Sequence, residues 1–381
     1  MNRARRNRLQ LFFLSVTLAT ALPGFAQNTR QDALALESQG QNAEAEQIWQ
    51  QIAKDEPHNA EALAHMGLLE ARQQRFDQAV AYYRQALAID PSFPSLEMNL
   101  GLALFKSNRF QEAIKPFTAE LEKHPGDPRL TILLGMTHYG MGDYLVAIPY
   151  LKQAARMDPQ NLPLRLTLAH SCLWSKQYQC VLDVYKEILA LNAESAEADM
   201  LAGEALDEEG KISEATAQFR AAVKANSKEP NAHFGLGYLL WEQKQYDEAA
   251  KEFLAELEND PGSVQARAYL GDTYVELNDY VKARPELEKA AADDPSTAFV
   301  HRDLGVVYAD LGRKDDAVSE LLKAIALDPK DVTPHWRLAR LYQSMGKKEE
   351  AKVEFDKASS MNKEADQALV EKLGKGQASP Q

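Results

Sequence analysis

Few residues of this chain have the types and spacing that chemistry requires. Its two cysteines, Cys172 and Cys180, lack the short paired spacing of a zinc site, and no H-E-x-x-H occurs. The histidines scatter. His58 and His124 sit at turn positions, while His233, His301 and His335 recur as one column that reads as solvated surface. Gly135, Gly140 and Gly142 precede no Gly-Lys-[Ser/Thr], and Gly235-Leu236-Gly237 lies within a helical pattern, so neither nucleotide reading holds. Glu204, Asp207 and Glu208 could ligate calcium only as part of a recognisable loop, which is absent. The expectation is therefore no catalytic residue, no metal and no cofactor.

What the sequence does contain is a period of 34 residues. Prolines stand at 57, 91, 125 and 159, and again at 261, 295 and 329, with Ala193 and Ser227 at the skipped stations. A small-residue column includes Gly67, Gly101, Gly135, Gly203, Gly237, Gly271 and Gly305. An alanine column includes Ala79, Ala113, Ala147, Ala215, Ala249, Ala283 and Ala317, and a large apolar residue follows four positions later in each unit. Glycine on the first helix is expected to face alanine on the second, with the large residue filling the next gap. Gly142, Gly210, Gly312, Gly346, Asn108 and Asn278 occupy the place where a left-handed residue closes the first helix. Proline ends the second helix. Strand signals are absent, so the fold class is all-α.

These columns resemble the tetratricopeptide repeat, a helix–turn–helix unit of this period. The resemblance implies a right-handed α-solenoid, a superhelix of stacked antiparallel helix pairs. Ten units are expected over residues 26–365: 26–59, 60–93, 94–127, 128–161, 162–195, 196–229, 230–263, 264–297, 298–331 and 332–365. A capping helix over 366–373 and a disordered tail over 374–381 should follow. Val181, Ala193 and Ser227 depart from their columns, which predicts local irregularity in the central units. Glu120 and Glu256 break a column otherwise filled by Ala or Ile; each needs a partner, with Arg129 and Arg267 as candidates, or a tilt toward water. Cys172 and Cys180 fall at facing ends of one helix pair, so a bridge is conceivable. The Cys180 column otherwise holds Gln78, Glu112, Glu214 and Glu248, which leaves a buried thiol and a surface thiol as the alternative.

Composition and the first residues bound the setting. Arg3, Arg5, Arg6 and Arg8 precede an apolar run from Leu9 to Leu22 and the small-residue exit Gly24-Phe25-Ala26, so residues 1–26 read as a secretory signal peptide, with an uncleaved anchor as the alternative. Export would place the protein in a bacterial periplasm or outside the cell, with no stable membrane insertion after cleavage. Losing four arginines and no acid takes the net charge from −13 to −17. That acidity argues against nucleic acid as a partner. Nothing in the sequence sets the oligomeric state.

In the family this chain resembles, the first helix of every pair lines the concave face. Those columns hold Met98, Phe105, Met136, Tyr139, His170, Trp174, Met200, Phe234, Tyr238, Trp241 and Tyr269, which make an apolar and aromatic groove. Glu204, Asp207 and Asp272 add acidity, and Arg302, Trp336, Arg337 and Arg340 close the series with a basic-aromatic patch. The stations where chaperone-binding relatives carry Lys and Asn hold Ala64, Met98 and Ile132, then Leu68, Leu102 and Met136. The expected function is a non-enzymatic scaffold that binds a protein or peptide with apolar anchors and some basic residues. The alternative is a component of a bacterial envelope assembly (secretion, pilus or polysaccharide export) that uses its ends or convex face.

Overall fold

The computed structural model describes the backbone of residues 23–376 and the side chains at 29–364 and 367. The expected signal-peptide run through Leu22 and the last five residues lie outside the described residues. Those described form twenty helices and no strand. They belong to two compact units, one ending at Met157 and the other beginning at Asp158. The first unit holds α1 (Pro23–Ser38), α2 (Asn42–Asp55), α3 (Ala60–Arg72), α4 (Phe76–Ile89), α5 (Leu96–Lys106), α6 (Phe110–Lys123), α7 (Pro128–Gly140) and α8 (Tyr144–Met157). The second holds α9 (Leu162–Trp174), α10 (Tyr178–Leu191), α11 (Ala196–Glu208), α12 (Ile212–Ala225), α13 (Ala232–Glu242) and α14 (Tyr246–Asn259). It continues with α15 (Val264–Glu276), α16 (Tyr280–Asp293), α17 (Ala298–Asp310), α18 (Lys314–Leu327), α19 (Thr333–Ser344) and α20 (Lys348–Gly376).

Within each unit, successive helices pair through tight turns, and every such turn contains a left-handed residue. Glycine serves at 142, 210, 312 and 346, and asparagine at 108 and 278, as the columns predict. Gln74, Lys176 and Lys244 adopt the same conformation with φ near 60°. Their backbone carries a steric cost on the order of 1 kcal/mol each, which packing of the flanking helices must offset.

The glycine column works differently from the sequence expectation. Each glycine lies nearest the large residue of the second helix, with the alanine's backbone also close at Gly305, where a Cβ would lie 3.4 Å from the Ala317 carbonyl oxygen. A Cβ at Gly101 would lie 2.5 Å from the Phe117 ring, and one at Gly237 2.8 Å from Phe253. The missing side chain is therefore the seat for the ring, and Phe117 and Phe253 are wholly buried there.

The second helices end without irregularity at Ala193 and Ser227. α10 and α12 stop at the same station as their proline-bearing counterparts, with Asn192 and Asn226 extended. An aspartate or asparagine just before the proline station supplies the turn: Asp90, Asn226, Asp260, Asp294 and Asp328 each accept the backbone N–H two residues on, at 2.9–3.0 Å. At Asp90 and Asp294 the serine hydroxyl and amide of that turn hold the carboxyl below its usual range.

Residues 366–373 do not form a separate helix. They continue α20, which runs unbroken from Lys348 to Gly376 and so takes in the first residues of the expected tail. No glycine or proline interrupts the sequence between Lys348 and Leu373, so nothing stops the helix at the last unit.

Candidate functional site

In the second unit the first helices of successive pairs, α9, α11, α13, α15, α17 and α19, lie side by side. This positions the sequence-predicted residues on neighbouring helices. Phe234, Tyr238 and Trp241 on α13 meet Tyr269 on α15 with ring centroids 5.9, 5.4 and 5.3 Å apart. Phe299 extends the patch from α17, 5.3 Å from Tyr269. The column arithmetic missed Phe299, because its station carries Asn231 and Gln265 in the preceding units and shows no pattern. Met200 packs behind the patch with Phe234. At the other end of this row, Trp174 is 49% exposed and lies 5.1 Å from His170, whose Nε2 is 2.8 Å from Glu197 Oε1.

The charges divide into two groups. Glu204 and Asp207 on α11 make no hydrogen bond or ion pair among the described residues. Burial raises both carboxyls above their usual range; His170 opposes it at Glu204, and Glu242 and Glu208 reinforce it at Asp207. Tyr238 donates its hydroxyl to Glu242 at 2.9 Å. Asp272 and Arg302 are not open groove charges, contrary to expectation. Asp272 is buried, accepts Trp241 Nε1–H at 2.5 Å and takes a hydrogen bond from the Arg302 guanidinium at 3.1 Å. Arg302 also donates to Asp303 at 2.8 Å. Asp303 is buried with one oxygen unbonded, and burial pushes its carboxyl well above the usual range against the pull of Arg302. This network clamps α13, α15 and α17 together.

Trp336 packs on Phe355 of its own pair, 5.5 Å between centroids. Arg337 and Arg340 are exposed, with no hydrogen bond or ion pair among the described residues.

In the first unit the predicted residues are half-buried. Met98 and Phe105 pack against the cluster around Leu100, Leu104 and Phe117. Phe105 also meets the Phe110 edge at 5.3 Å, and Tyr139 meets Tyr144 at 5.8 Å. Met136 is likewise half-buried.

The helix pairing, the 34-residue columns and the glycine seats all belong to one repeat. Tetratricopeptide-repeat family models match residues 31–94, 66–128, 200–264 and 270–332, with further models of the same repeat at 138–205 and 333–364. The chain belongs to the tetratricopeptide-repeat family. Among solved structures it is similar to YrrB, described as a TPR protein with an unusual peptide-binding site, at 22% identity and a TM-score of 0.42 over 49% of this chain and 97% of that one. A crystal structure of MamA gives 21% identity and a TM-score of 0.40 over 43% and 96%. MamA from Desulfovibrio magneticus RS-1 gives 21% and 0.41 over 44% and 96%. No curated protein matches.

Three features of this tetratricopeptide-repeat chain correct the sequence reading of its polar residues. The histidine column is not solvated. His233, His301 and His335 are buried, and the Nδ1 of each lies 2.5–2.6 Å from a glutamate of the second helix: Glu252, Glu320 and Glu354. Arg267 takes the same station and binds Glu286 at 2.7 Å, so a polar clasp recurs through four successive pairs. Glu256 uses neither Arg267 nor water; its two oxygens accept the backbone N–H groups of Asn231 and Phe234 at 3.2 and 3.1 Å, capping α13. Glu120 lies 3.6 Å from His124 and 3.9 Å from Lys123, while Arg129 pairs with Asp127. The signal for all three was a repeated pair of columns 19 apart and an acid in an apolar column, legible only once the helices are docked.

Cys172 Sγ and Cys180 Sγ are bonded, with the Cα atoms 5.7 Å apart, which joins the end of α9 to the start of α10. Among the described residues no helix is long and apolar enough to cross a membrane, and no three His, Cys, Asp or Glu side chains gather as metal ligands.

Proposed function

We propose that this protein is an exported interaction scaffold whose second unit binds a segment of a partner protein along α9, α11, α13 and α15. The observation that carries this reading is the pairing of aromatic rings with acids that have no hydrogen bond or ion pair among the described residues. Tyr238, Trp241 and Tyr269 form a half-exposed patch, and Glu204 and Asp207 beside it are held at raised proton affinity, with His170 opposing the shift at Glu204 alone. A lysine or arginine of the ligand would relieve that cost, and an adjacent apolar residue would lie on the rings. Trp174 and His170 offer a second anchor point. The basic-then-apolar leader within residues 1–26 and the Cys172–Cys180 bond support export.

The test is Trp174→Ala combined with Tyr238→Ala, two half-exposed or exposed positions whose truncation leaves the glycine–ring seats intact. Helical content should stay at the wild-type level, while cross-linked partners recovered from the native host's envelope should fall by tenfold or more. An unchanged set of cross-linked partners would overturn the reading.

A further inference from the structure

At the far end of the second unit, α17, α18 and α19 line an open pocket of about 250 Å³. Val306 and Ala309 of α17, Leu321 of α18 and Leu341 of α19 line it together with Lys314, Arg337 and Arg340. Arg337 and Arg340 are three apart on α19, so their guanidinium groups project to one side. Neither has a partner among the described residues. That is unusual in a chain where acids outnumber lysines and arginines 56 to 43. Nearby arginines are engaged: Arg267 with Glu286, Arg302 with Asp272 and Asp303, and Arg313 with Asp316. Lys314 donates to the carbonyl of Ser344 at 3.1 Å, which holds the ammonium at the mouth.

We propose that this cavity binds a chain-internal aspartate or glutamate of the partner segment, together with the aliphatic residue next to it. The carboxylate would take forked hydrogen bonds from Arg337 and Arg340, and the aliphatic side chain would enter the cavity. The volume falls below that of a typical small-molecule site and suits one side chain. The apolar lining favours a carboxylate carried on a peptide over a bare inorganic anion.

This inference rests on the proposed groove and sharpens it. The acids Glu204 and Asp207 lie on α11, beside α13, and the free arginines on α19. Neighbouring first helices spaced about 8–10 Å apart put roughly 32–40 Å between α11 and α19, the span of about ten to twelve extended residues. The ligand is then a charge-segregated segment, cationic over α11 and α13 and anionic over α19, and lies in one direction only.

The experiment is selection of a random 16-residue library, displayed with both peptide ends fused so that no terminal carboxylate is free, against the residues 27–381 chain. The expected outcome is enrichment of Asp or Glu beside Leu, Ile, Val or Met, with Lys or Arg about ten to twelve positions away. Binding of the selected peptides should weaken at least tenfold in Arg337→Gln/Arg340→Gln and recover in part in Arg337→Lys/Arg340→Lys. Selected peptides that lack an acid, or that bind the glutamine variant as tightly as wild type, overturn the arginine site. If those peptides still require Trp174 and Tyr238, the groove stands without it. Failure of any peptide to enrich overturns both.

Discussion

Glu256→Ala tests whether a buried carboxylate is what starts α13. The carboxylate is 2% exposed and accepts two backbone N–H groups, from Asn231 at 3.2 Å and Phe234 at 3.1 Å. Asn231 sits at the N-cap in the left-handed conformation with φ 64°, and its own side chain makes no capping bond. The cap is thus supplied from α14, across the pair. Hydrogen bonds to a charged group contribute about 1.5–3 kcal/mol each. Removing both leaves two amides near the surface that water can partly recover, so Glu256→Ala should cost about 3 kcal/mol. Glu256→Gln keeps one carbonyl oxygen but sets an amide N–H against the second backbone N–H, donor facing donor, so it should be less stable than wild type as well. Stacked repeats can open piecewise, and a single unfolding midpoint would blur the effect. Native-state hydrogen exchange at the amides of α13 is therefore the primary assay, with urea unfolding of the whole chain beside it. Loss of protection should centre on Asn231 to Leu236. An alanine variant within about 0.5 kcal/mol of wild type would refute the cap.

Two further outcomes follow from the same structure. Reducing the Cys172–Cys180 bond, or replacing both residues with serine, should cost roughly 2–3 kcal/mol through loss of a short closed loop, read as a lower unfolding midpoint in reductant than in oxidant. Asp303→Asn should stabilise the protein relative to wild type as pH rises. Because burial raises the folded carboxyl's pKa, the native state holds a proton that the unfolded chain releases above about 4, so wild-type stability falls from there up to the folded pKa. Urea unfolding across that range should show the variant's advantage growing, and a difference independent of pH would contradict the buried-acid account.

Much of the fold was legible because a repeat states each rule many times over. Gly142, Gly210, Gly312 and Gly346 mark left-handed turns plainly, since glycine pays no Cβ penalty there. Gln74, Lys176 and Lys244 carry no such mark, and their turns follow only from the docking of the helices they join. The aromatic patch was legible in part: Phe234, Tyr238, Trp241 and Tyr269 lie in first-helix columns, whereas Phe299 joins them from a position with no column behind it. The polar residues were read least well. A histidine three times in one column looks like surface when its glutamate partner lies 19 residues on, beyond the reach of helical periodicity.

The sequence by itself determined the period and the helix pairs, because burial of small and large residues repeats with local spacing. Tertiary structure decided which charges remain available. Asp272, Asp303 and Arg302 look as open in sequence as Glu204, Asp207, Arg337 and Arg340, yet helix docking neutralises the first three against one another and Trp241. The other four form no hydrogen bond or ion pair across a helix interface among the described residues, and of the two acids only Glu204 feels an opposing charge, that of His170. That distinction depends on distances between helices, which no column of one sequence contains.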